Sequence, residues 1–219
     1  SLEATATRLK AAGSPTQSFV WNIAEAASSQ SRIGAILVAT GGVDILVNNT
    51  GGPPPSLVSG IPPTIWTEYF TSMVLSVIAI TDAVLPSMRT RQWGRIITSA
   101  SSGIVAPIPN LGLSNALRTS LAGWSKTLAR EIAADGITSN LVIPGRIATR
   151  RIQSLDQKKA EREGRTVEAV RKESLASIPM KRYGTPEEYA DAVVFLASER
   201  ASYITGSIIR VDGGYIPSI

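Results

Sequence analysis

The stretch SKTLAREIAADGITSNLVIPGRIAT, Ser125–Thr149, decides the fold. Its first part completes a helix, its middle is an apolar run of strand length, and its end is a tight Pro-Gly turn. Upstream, the helix extends back to Asn110, with Leu113, Leu117, Leu121, Trp124, Leu128 and Ile132 at intervals of three and four. That spacing puts all six on one face, to be buried in a core or an interface. GITSNLVIPG, Gly136–Gly145, is then a strand whose long apolar run suits a sheet covered on both faces.

Working outward, the same alternation repeats. Leu2 and Leu9 belong to the end of an amphipathic helix that closes near Gly13, with Pro15 beyond it. QSFVWNI, Gln17–Ile23, reads as a short strand, and Ser28 to Ala39 as a helix ended by Gly41-Gly42. VDILVNN, Val43–Asn49, reads as a fully buried parallel strand. Ile65 to Met88 is one long helix, apolar nearly all round and so buried on two sides. GRIITSAS, Gly94–Ser101, is the next strand. Near the C-terminus, Thr185-Pro186-Glu187-Glu188 combines a cap, a first-turn proline and a glutamate three residues after the threonine. A last strand, GSIIRVDGG, follows. Strands alternating with helices imply an α/β fold with a doubly wound parallel sheet in a single domain over residues 1–219.

Composition narrows the chemistry. The 219 residues include no cysteine and no histidine, which excludes disulfides, thiol catalysis, Ser-His-Asp triads and histidine metal sites. A general base must be a carboxylate, a tyrosine, a lysine or a relayed water. No uninterrupted apolar run reaches the roughly 18 residues of a membrane span, and the N-terminus lacks the layout of a signal peptide. The expectation is a cytoplasmic protein without membrane contact. Residues 146–182 carry eleven basic and five acidic side chains, an excess of +6 within a net charge of +5. Acids alternate with these bases and aromatics do not interleave, so nucleic acid is not an expected partner. The segment reads as a lid, split near Gly164, over the C-terminal edge of the sheet. Its charge suggests an anionic small-molecule substrate, such as an acyl thioester bearing phosphates. A solvated helical hairpin without a ligand role is the alternative.

Taken together, NNTGG, GRIITSAS, SKTLAREIAADGITSNLVIPGRIAT, GTPEEYADAVVFLAS and YITGSIIRVDGG resemble the short-chain dehydrogenase/reductase family. Members acting as 3-oxoacyl-[acyl-carrier-protein] reductases look most similar. The resemblance covers the whole chain. It implies a Rossmann-like sheet in the order 3-2-1-4-5-6-7, NAD or NADP as cofactor, and a homo-oligomer, dimer or tetramer, paired through the long helices. It also implies a first βαβ portion, about 30–40 residues with a glycine-rich phosphate loop, that this sequence does not contain. Without it, Gln17–Ile23 has no strand to pair with.

The resemblance further implies a catalytic Asn, Ser, Tyr and Lys. Counting within the motifs, the serine is Ser101, flanked by Ser99 and Ser102, whereas the other three positions hold Met73, Ser114 and Arg118. A serine hydroxyl is a far weaker acid than a phenol, and Arg118 keeps a cation without being a proton donor. Ser114 also suits a helix cap, and Arg118 suits a carboxylate pair or the nicotinamide ribose. The cofactor residues implied are Asn22, Asn48, Gly51, Arg118, Ile147 and Thr149, with Ile147 and Thr149 meeting the carboxamide. Two functions compete: an oxidoreductase with a rebuilt or impaired proton relay, and a non-catalytic dinucleotide-binding or oligomer-building protein.

Overall fold

The strand that anchors the molecule is β3 (Ile137–Pro144), buried along nearly its whole length. It runs parallel between two neighbours: Gly94 of β2 (Gly94–Ser99) aligns with Ile137, and Leu141 aligns with Ile208 of β4 (Ile208–Val211). β1 (Ile45–Asn48) pairs with β2 from Ile45 opposite Arg95, giving a four-stranded parallel sheet in the order β1-β2-β3-β4. This matches the last four positions of the expected order. The structure, a computed structural model, describes residues 2–219.

Side chains alternate between the faces of the sheet, so adjacent residues of β2 serve different layers. Ile96 packs with Val84, Leu85 and Met88 of α4 (Ser76–Arg91) and with Leu128 and Ile132 of α5 (Gly112–Ile132). Ile97 packs with Val142 and with Leu196 of α8 (Pro186–Ala197). Helices therefore cover both faces, as a doubly wound sheet requires. The stripe read on α5 is buried as expected, except that Trp124 is only partly covered and bridges two apolar clusters. α1 (Leu2–Ala11) and α2 (Ala26–Thr40) precede β1, and α2 ends at Gly41 in the left-handed conformation.

Three expectations need correction. Residues 17–23 form no strand. A ladder needs a neighbour, and the described sheet ends at β1, with which this segment forms no pairing. For the same reason β1 is an edge rather than a fully buried strand: Ile45 and Val47 are exposed, Val47 by 48%. Finally, the long helix starts at Pro63 and is not uniform. α3 (Pro63–Phe70) and α4 are joined by a π-helical turn, Thr71–Leu75, that inserts Met73 and Val74 into the core. Together they form a rod from Pro63 to Arg91 long and apolar enough, by length and composition, to cross a membrane. Here its inner face is core of this domain, while Phe70 and Leu75 remain exposed on its outer side.

The basic segment is a helical hairpin, α6 (Arg150–Glu163) and α7 (Val167–Ser177), hinged at Gly164 with φ 61°. Several of its cations are already paired: Lys159 and Arg165 with Glu173, Arg162 with Glu163, and Arg182 with Glu188. At its base Arg146 meets Asp156 at 2.7 Å, and the Tyr183 hydroxyl donates to the other Asp156 oxygen at 2.8 Å.

Candidate active site at the C-terminal edge of the sheet

Parallel strands end together, and the loops that leave them enclose a cleft. β2 ends at Ser99. Ser101 then caps a short 3-10 turn, its hydroxyl accepting from Gly103 N–H at 3.1 Å, which leaves its own proton for a ligand. α5 begins beside this turn. Its N-cap is Leu111 and makes no side-chain bond, so Ser114 is not the cap. Ser114, a residue 7% exposed, lines the cleft, and its hydroxyl makes no hydrogen bond among the described residues.

One helical turn later, Arg118 is buried and pairs with no carboxylate among the described residues. It donates to three backbone carbonyls: Ser99 at 3.3 Å, Thr50 at 3.2 Å and Gly51 at 3.0 Å. The guanidinium thereby joins the end of β2 to the loop that follows β1. Burial holds its pKa below the ordinary arginine value; Tyr189 opposes that shift and Arg151 reinforces it. Met73 lies 2% exposed among Val74, Val77, Leu113, Leu117 and Leu121, a core residue rather than a cleft residue.

The opposite wall is the Pro144-Gly145 turn. Gly145 passes so close to β4 that a Cβ there would lie 2.6 Å from the Asp212 Cα, and its N–H donates to Val211 at 2.8 Å. Ile147 follows, bridged to Gly184, with an N–H that makes no hydrogen bond within the protein. Thr149 caps α6 through a long 3.5 Å contact from Ile152 N–H.

The cleft has a volume of about 670 Å³ and brings together Gly51, Ser101, Ser114, Arg118, Ile147 and Thr149. Asn22 lies outside it, at the surface, folded back onto Ala24 N–H and Glu25. Asn48 is buried and turned inward, its amide donating to Thr81 at 3.2 Å and Thr98 at 3.4 Å. It borders a separate cavity of about 270 Å³ beside β1.

Sequence reasoning missed Tyr189. It projects from the first turn of α8 into the cleft wall, where its hydroxyl lies 2.8 Å from the Ser99 hydroxyl and donates to the Val142 carbonyl at 3.0 Å. Burial raises its pKa, against the lowering effects of Ser99 and Arg118. The signal was available: the capping box fixes where α8 starts, and a tyrosine one residue later must point at the strand ends.

Comparison with known proteins gives the family and the fold. A family model described as Enoyl-(Acyl carrier protein) reductase matches residues 1–216. The chain belongs to the short-chain dehydrogenase/reductase family. It is 37% identical over 198 residues to 3-oxoacyl-[acyl-carrier-protein] reductase FabG of Buchnera aphidicola subsp. Acyrthosiphon pisum, covering 90% of this chain and 76% of that protein. With FabG of Escherichia coli (strain K12) it shares 37% over 204 residues, 92% of this chain and 78% of the relative. Among solved structures it resembles YwfH, an NADPH-dependent reductase involved in bacilysin biosynthesis (TM-score 0.92, 28% identity, 99% of this chain and 84% of the other). L-sorbose reductase of Gluconobacter frateurii, solved with NADPH and L-sorbose, matches with TM-score 0.92 and 30% identity over 100% of this chain and 84% of the other. Short-chain reductases thus share both the sequence pattern and the fold described above.

Proposed function

We propose that the chain binds NAD or NADP in the 670 Å³ cleft and promotes hydride transfer between the nicotinamide and a carbonyl or hydroxyl carbon of a small substrate. The observation that carries this reading is the gathering of Ser101, Ser114, Arg118, Ile147 and Thr149 at the C-terminal strand ends. The residues present fit the nicotinamide end of the cofactor. The unbonded Ile147 N–H and the Thr149 hydroxyl suit a carboxamide, and the two free N–H groups that Arg118 keeps suit a ribose hydroxyl. When bound, the nicotinamide supplies or accepts the hydride.

The protein's own part is positioning. The hydroxyl protons of Ser101 and Ser114 converge on the cleft and orient a substrate oxygen. Neither hydroxyl has a base or a lysine behind it, so proton transfer is weakly assisted and falls to solvent. The loss relative to a tuned phenol is on the order of 10²–10⁴ in rate. A 3-oxoacyl thioester or another small ketone is the matching substrate class.

A second reading, a dinucleotide-binding member without turnover, is favoured by Arg118 being committed to three carbonyls and by Met73 being sunk in the core. Titrating NADPH and NADH by nucleotide fluorescence, and separately assaying a panel of ketones, tests both. Binding with slow turnover supports the first reading, and binding without any turnover supports the second. Absence of nucleotide binding would sink both.

A further inference from the structure

The residues lining the active cleft include two arginines and no carboxylate. In the hairpin, Lys159, Arg162 and Arg165 have acidic partners, whereas the cleft wall offers its arginines none. The second arginine is Arg151, in the first turn of α6. Among the described residues it forms no ion pair, and its side chain donates a hydrogen bond to the Pro53 carbonyl at 3.2 Å. Arg118 and Arg151 converge on Gly52: a Cβ built there would lie 3.7 Å from a terminal nitrogen of each. Gly52, Arg118 and Arg151 all line the cleft, so the two guanidinium groups stand close together at its wall. Their charges repel: burial is the main cause of the lowered Arg118 pKa, and Arg151 adds to it in the same direction. An oxyanion seated there would relieve the repulsion and satisfy the unused N–H groups of Arg151.

We propose that Arg151 is a specificity-determining residue that holds the carboxylate of an oxo-acid substrate, with the substrate's carbonyl directed to Ser101 and Ser114. The guanidinium fork matches a planar carboxylate with two parallel hydrogen bonds. Ile152 and Leu155, also in the lining, supply apolar cover for the carbon chain between the two polar ends. The inference rests on the oxidoreductase reading for the fate of the carbonyl, but not for the anion site itself. It also replaces the diffuse +6 of the hairpin with one side chain. Arg150, its neighbour, is exposed and does not line the cleft.

The same oxyanion chemistry could be met by a phosphate of the nucleotide, and the test separates the two sources. Calorimetric titration would use 2-, 3- and 4-oxo carboxylic acids and their methyl esters, with and without NADPH, on the wild type, Arg151→Gln, Arg151→Lys and Arg150→Gln. At least one acid should bind tighter than its ester. Arg151→Gln should weaken that acid roughly ten- to hundredfold, Arg151→Lys should recover part of the loss, and Arg150→Gln should change nothing. Equal binding of every acid and ester by the wild type overturns the proposal. So does an Arg151→Gln protein that loses affinity for NADPH while keeping it for the acid. If NADPH fails to bind anywhere but the acid preference persists, the anion site stands and the oxidoreductase reading falls. Because Arg151 is exposed, an unchanged melting temperature shows that each variant is folded.

Discussion

Arg146 and Asp156 meet at 2.7 Å across the base of the helical hairpin, with the Asp156 side chain only 5% exposed. The pair fastens α6 to the turn that carries Ile147 and Thr149, and Tyr183 completes it from the far side. Removing the acid leaves a half-buried cation and a phenol without their acceptor. Asp156→Ala should cost about 3 kcal/mol, since breaking one partner of a buried pair is expensive. For a chain of this size that lowers the melting temperature by about 6–12 °C, readable by calorimetry. A loss under about 1 kcal/mol would show that the hairpin is held by other contacts.

Stability should fall in acid through Glu188. Its carboxylate accepts from Arg182, at 2.6 and 2.7 Å, and from Thr185 N–H at 2.8 Å, which together lower its pKa to about 2. A carboxylate depressed by folding stabilises fully above its ordinary value near 4.5, and the contribution disappears as pH drops toward 2. The group is exposed, so the effect is small and screened by salt. Melting temperature against pH should decline less steeply between those limits in Glu188→Gln than in the wild type.

Restoring a phenol and a lysine should not restore a fast enzyme. Ser114→Tyr with Arg118→Lys supplies two of the groups that the family resemblance implies, but Met73 still offers no polar atom. Adding Met73→Asn should raise kcat more than additively, because relay residues act as a unit. It should also cost stability, since an amide would enter an apolar cluster. Steady-state kinetics and urea denaturation on the same three proteins check both halves. Family-like rates in the double variant alone would refute the relay account.

Tyr189→Phe should destabilise by about 1–2 kcal/mol, leaving the Ser99 hydroxyl without its partner. Nucleotide affinity should hold, because the phenol proton already goes to Val142. Weakened NADPH binding in this variant would instead assign Tyr189 a direct contact with the cofactor.

The outer face of the 63–91 rod should join copies of the chain into a dimer or tetramer. Phe70 and Leu75 lie exposed on it, although most of their neighbours are core. Phe70→Glu with Leu75→Glu should shift light scattering toward the monomer. A monomeric wild type at micromolar concentration would end this proposal.

Elements that carry their own signal were legible in the sequence. The α5 stripe, the apolar runs of β2 and β3, the break at Gly164 and the Thr185 box all act locally, and all lie where the residues predict. Residues 17–23 misled because strand propensity cannot state whether a neighbour exists. The π-turn at Thr71–Leu75 was invisible because one extra residue per turn leaves hydropathy almost unchanged. At the site, residue types were readable but hydrogen-bond partners were not. Arg118 looked suited to a carboxylate or a ribose, and only the folded backbone shows three carbonyls claiming it.

For a ligand that pulls the Arg118 guanidinium out of place, rather than using its two free N–H groups, those carbonyls turn capture into an exchange of partners. A ligand that draws the guanidinium toward itself must unlatch Thr50 and Gly51, or the end of β2, and leave a carbonyl to find water. Affinity at this point is therefore a difference between two sets of bonds rather than a sum. The loop after β1 would loosen as the site fills, so occupancy of the cleft could be read remotely, from faster amide exchange at residues 50–52.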